Sequence, residues 1–124
     1  MKCNLLQIMF VWTFILSVCG SAAAAPAASV ESQINHLITY VRESNLIFIR
    51  NGSENSSAAA AQHIDEKYSH FKADISSVND FIDKAASKSL LSGQPYLVKL
   101  PDGSTKPVAD WLREEFLKQG GREG

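Results

Sequence analysis

Arg50 stands directly before Asn51-Gly52-Ser53, and Ser56 follows where a helix could begin. A guanidinium, serine hydroxyls and free amides at a helix start can together cradle a carboxylate or phosphate. Arg50, Asn51, Ser53 and Ser56 are therefore candidate anion-binding residues. The simpler and preferred reading pairs Arg50 with Glu54 or another local acid, and leaves the serines as helix caps. Tyr96 and Trp111 are a second candidate site, an aromatic ridge for a peptide or glycan, with burial in the core the preferred alternative. His63, Glu66 and His70 share a helical stripe, but ligands seven residues apart stand about 10 Å apart along the axis. That is too far for one small ion, so no metal is expected.

Nothing in the chain designates a catalyst. There is no Gly-x-Ser-x-Gly elbow, and no serine sits on a strand-to-helix turn beside a dedicated base. Asp102-Gly103 reads as turn chemistry and Asp110 as a first-turn partner of a helix dipole. No catalytic residue and no cofactor are assigned, and an enzyme is not the preferred reading. A hydrolase site around Arg50, His63 and the second helix is the alternative.

The elements that must position these residues follow a leader. Of the 124 residues, 45% are hydrophobic and 20% charged, which excludes a disordered acidic tail and a basic nucleic-acid module. Met1-Lys2 precede the apolar run Leu5–Val18, and Ser21–Ala25 supply small residues before Pro26. This is the pattern of a signal peptide over residues 1–24, cut after Ala23 or Ala24, which directs the chain to the periplasm. An uncleaved anchor helix is less favoured because no charge cluster follows the run. Leu16-Ser17-Val18-Cys19 also resembles a lipobox, although Val18 is larger than such a site prefers, and lipid anchoring through Cys19 is a minor alternative.

Cleavage removes both cysteines, Cys3 and Cys19, so the remaining chain has no disulfide. It keeps eleven basic residues against thirteen acids, a formal charge of −2 that disfavours capture of nucleic acid. No membrane span is expected beyond the leader. Residues 25–124 read as one domain, fraying from about residue 119.

Ser29 is an N-cap, and Val30, Ile34, Leu37, Ile38 and Val41 recur at helical spacing, predicting a helix over Val30–Glu43. Leu46–Ile49 predicts a buried strand with Arg50 at its exit, closed by Asn51-Gly52. Ser53–Ser57 offer caps for a second helix reaching about Phe71, with Ala60, Ile64, Tyr68, Phe71 and Ile75 as its apolar stripe. Ser77-x-x-Asp80 opens a third helix ending near Ser89. Tyr96–Leu100 predicts a strand, Asp102-Gly103 a turn, Ser104–Val108 a possible return strand, and Ala109–Lys118 a last helix. The fold class is α+β: helix-rich, about four helices with a small two- or three-stranded sheet.

Phe48–Gly52, Ala60–His63, Lys67-Tyr68, Phe81-Ile82, Ser92–Tyr96, Pro101–Gly103 and Trp111-Leu112 occur in an order that resembles the YfeK-like proteins. These are small exported proteins of Gram-negative bacteria. The resemblance implies a periplasmic address and a fold, without a reaction. One departure stands near Ala59, where that family is expected to carry an acid. The best reading of function is a non-catalytic binding module whose partner is an envelope protein, a peptide or an anionic small molecule.

Overall fold

A computed structural model describes residues 29–121. The leader over residues 1–24 and the tail over 122–124 lie outside the described residues.

The first helix, α1 (Val30–Glu43), starts on Ser29, whose hydroxyl accepts from the Ser32 N–H at 3.1 Å. It buries Ile34, Leu37, Ile38 and Val41 at i, i+3, i+4 and i+7. Truncating one of these buried aliphatics to alanine costs about 2–5 kcal/mol. β1 (Ile47–Arg50) then turns through Asn51 (φ 53°) and Gly52 (φ 80°) into β2 (Ser53–Asn55). Two central residues with positive φ are what a tight hairpin requires. β2 corrects the expectation that Ser53–Asn55 only cap a helix. A strand of Ser-Glu-Asn at a sheet edge has no apolar alternation by which to be recognised.

α2 (Ser57–Phe71) is capped by Ser56, which accepts from the Ala59 N–H at 3.1 Å. Ser57 Oγ donates to the Arg42 carbonyl at 3.0 Å, so the start of α2 satisfies one of the last carbonyls of α1. The buried face of α2 is Ala61, Ile64, Lys67 and Tyr68, one position away from the expected stripe at Ala60, with Phe71 only half-buried. A 3-10 turn (Lys72–Asp74) leads to α3 (Val78–Ala85), capped by Ser77 on the Asp80 N–H at 3.0 Å. The Asp80 carboxylate accepts from Ser76 rather than Ser77, a capping box displaced by one residue.

β3 (Leu97–Lys99) and β4 (Thr105–Pro107) form a second hairpin, and α4 (Val108–Lys118) follows at once. The sheet has four strands in the order β2-β1-β3-β4, each neighbouring pair antiparallel, so the two- or three-stranded expectation is one strand or more short. Phe48 and Val98 are buried in the middle of β1 and β3, whereas Ile47 and the β3 flanks Leu97 and Lys99 are not. One face of the sheet therefore meets the helices and the other is open to water. At the C-terminal end, Gly120 (φ 84°) donates to Leu117 and Gly121 donates to Phe116, both at 3.0 Å. Together these bonds form a Schellman cap. Among the described residues, no helix is long and apolar enough to cross a membrane.

Candidate functional site

The hydrogen-bond register decides what faces α2. Phe48 pairs with Asn55 on one side and with Val98 on the other. Side chains alternate along a strand, so Phe48 and Arg50 of β1 point to the helix-covered face together. Tyr96 lies one residue before β3, level with Arg50 and on the face of Val98. Opposite them, α2 carries Ala59, Ala60, His63 and Ile64. Between the two layers lies a cavity of about 180 Å³, lined by these α2 residues and by Phe48, Arg50, Tyr96 and Val108.

Its polar end is built from four residues on three segments. Arg50 Nη1 lies 2.9 Å from the ring nitrogens of His63. His63 Nε2 lies 3.0 Å from the Tyr96 hydroxyl. Lys67, one helical turn beyond His63, donates from Nζ to the Tyr96 hydroxyl at 3.2 Å and to the Lys88 carbonyl at 2.9 Å. Lys67 is only 8% exposed, and no ion pair to Arg50 or Lys67 occurs among the described residues. Glu54, the acid expected to neutralise Arg50, instead accepts from Lys99 at 2.7 Å.

The cluster is thus rich in donors and poor in acceptors. A guanidinium carries five N–H groups and an ammonium three, while neutral imidazole, phenol oxygen and one carbonyl supply the acceptors. Burial pushes the His63 pKa down, and the positive charges of Arg50 and Lys67 push it further, against the weaker pull of Glu66. Burial, with Arg50 second, also lowers the pKa of Lys67. Burial raises that of Tyr96, with Arg50 opposing. Burial first, and the two cations after it, favour the neutral imidazole.

The remaining candidates separate. Asn51 Nδ2 donates to Ser89 Oγ at 3.2 Å and its Oδ1 accepts from Ser92, so Asn51 fastens the hairpin to the 86–96 loop. Ser53 lies on the edge strand and Ser56 is occupied as a cap. The expected cradle of Arg50, Asn51, Ser53 and Ser56 is therefore not assembled: Arg50 turns away from it, toward His63. Trp111 stacks on Tyr40 at 4.5 Å and meets Phe48 edge-on at 5.6 Å. At 7% and 6% exposure, Trp111 and Tyr96 are core residues and form no ridge, as the preferred alternative had it. Glu66 accepts from Gln62 and His70 packs edge-on against Phe71, so the histidine stripe is divided. Among the described residues, no group of three His, Cys, Asp or Glu is placed to hold a metal.

Lys67 was missed in the sequence. Its signal was position: it sits between Ile64 and Tyr68, on the stripe that the helix buries.

A model of the DUF5329 family, described as a family of unknown function, matches residues 28–119. The chain belongs to the DUF5329 family. Over 70 residues this DUF5329 chain is 33% identical to an "uncharacterized protein YfeK" of Salmonella typhimurium (strain LT2). That match covers 56% of this chain and 58% of the relative, so the chain spans little over half the length of this curated relative. The resemblance read from about Leu46 to Leu112 is borne out by both comparisons. No solved structure matches. In this DUF5329 protein, Ala59, where the resemblance implied an acid, lies on the wall of the cavity.

Proposed function

We propose that the protein is a non-catalytic binding module of the periplasm, and that it takes a small amphipathic anion between α2 and the sheet. The observation that carries this reading is the donor excess at one end of an apolar cavity. Arg50 and Lys67 flank His63 and Tyr96 and, among the described residues, no carboxylate pairs with either cation. The buried, unpaired Lys67 ammonium beside a half-buried imidazole costs stability, and a bound anion at Arg50 offsets part of that cost. The periplasmic address rests on the leader pattern over residues 1–24. A hydrolase draws no support from the cavity wall, where no serine, cysteine or acidic residue stands among the described residues.

Backbone amide NMR of the protein recovered from expression of the full chain tests the binding reading. Titration with small carboxylates and phosphate should shift resonances of Arg50, Ala59, Ala60 and His63 and leave those of α3 in place. Shifts scattered over the surface, or none at millimolar anion, overturn it. Mass spectrometry of the same material reports whether the chain begins after Ala23 or Ala24.

A further inference from the structure

We infer that the ligand is a monocarboxylate with an apolar body about the size of one benzene ring, its carboxylate on Arg50 and its body against Phe48, Ala60, Ile64 and Val108. The inference rests on the anion-binding reading and narrows it to a chemical class. Three features of the site select that class.

Size comes first. The cavity holds about 180 Å³, and an engineered apolar cavity of about 150 Å³ accepts benzene. There is room inside for a ring or a short branched chain, and a nucleotide or a sugar chain would project out of the open end. Ala59 and Ala60 create this room, because a larger side chain at either position would fill the space between α2 and β1.

The head group follows from the donors on offer. Arg50 is exposed at the cavity end, and its planar fork matches the two oxygens of a carboxylate. A phosphate wants more donors, typically the amides at a helix start. Those of α2 are partly spent: the Ala59 N–H donates to Ser56 Oγ and the Ala60 N–H to the Ser56 carbonyl at 2.9 Å. Lys67 is held back on Tyr96 and Lys88, where it adds positive potential without reaching past the phenol.

The third feature is the separation of the two ends. Arg50, His63 and Tyr96 gather on one side, while Phe48, Ile64 and Val108 wall the other, joined by Asn55 level with Phe48, so a ligand tail there meets carbon and one neutral amide and no charged side chain among the described residues. A ligand with a second charge would bury it against carbon at a cost of several kcal/mol.

Calorimetry with benzoate, inorganic phosphate and benzylamine as probes tests the assignment, using protein recovered from expression of the full chain. Benzoate should bind, and the other two should not. Arg50→Ala should weaken benzoate at least tenfold. Ala59→Glu, on an exposed helical position of the wall, should abolish binding by occupying Arg50 without lowering thermal melting. Ala60→Leu should weaken benzoate by filling the cavity. Phosphate binding that depends on Arg50, without benzoate binding, overturns the carboxylate class and leaves the broader anion reading standing. Benzylamine binding as well as benzoate overturns both, since the cavity would then select only for a ring. No binding by any probe also overturns both.

Discussion

Arg50 and His63 touch at 2.9 Å although thirteen residues and a hairpin separate them. The contact exists because the turn at Asn51-Gly52 sends the chain back along β1 before α2 starts. α2 then crosses the face of the sheet on which Arg50 stands. A cation packed against an imidazole, with a second cation on the same phenol, is an arrangement that folding alone would not favour.

Lys67 gives the first test of that view. Methionine keeps the length of the stem and removes the buried ammonium. Lys67→Met should therefore melt at or above the wild-type temperature and bind benzoate more weakly. A loss of more than about 2 kcal/mol in urea denaturation would mean that the bonds to Lys88 and Tyr96 hold the fold.

The pH dependence of stability follows from His63. Its pKa in the folded chain lies below the ordinary value of 6.5, owing to burial, then Arg50, then Lys67, with Glu66 opposing and neutral Tyr96 in contact. Below pH 6.5 the unfolded chain binds the proton more readily, so stability is full above that value and falls as pH drops toward the folded pKa. Urea denaturation between pH 7.5 and 5 should show a steeper loss for wild type than for His63→Gln. Parallel curves would remove His63 as the cause.

Gly52 isolates the backbone demand of the β1–β2 turn. A Cβ there meets nothing within 4 Å, yet φ is +80°. Gly52→Ala should cost about 1 kcal/mol through strain alone, read as a lower urea midpoint with an unchanged slope. A neutral substitution would argue against the tight hairpin.

Trp111 tests the core. Stacked on Tyr40 and edge-on to Phe48, it should cost about 3–5 kcal/mol when replaced by alanine. Ligand affinity measured on whatever folded fraction remains should change little, because Trp111 does not line the cavity. A loss of binding with native stability would restore it as a contact residue.

The helices were legible because their signals are local. Ser29, Ser56 and Ser77 each cap the helix that their neighbours' spacing predicts. β2 was not legible, since Ser53-Glu54-Asn55 owes its conformation to pairing with Phe48–Arg50 and to no pattern of its own. Arg50 and His63 were both readable as polar groups of interest, but their meeting depends on strand register and helix placement. The expected partner of Arg50 was Glu54, its nearest acid, and β2 instead sends Glu54 across β1 to Lys99 on β3. Lys67 carries a charge that suggests water, and only its place between Ile64 and Tyr68 argues otherwise.

The central claim is that an anion completes the donor-rich end of the cavity, and the ring of His63 reports it. Its C–H proton resonances, assigned among the three histidines by comparison with His63→Gln, give the pKa by NMR titration with and without saturating benzoate. A carboxylate on Arg50, beside His63, favours the imidazolium, so the account predicts a pKa below 6.5 in the free protein and a clear rise on adding benzoate. An unchanged His63 titration at saturating benzoate would contradict it.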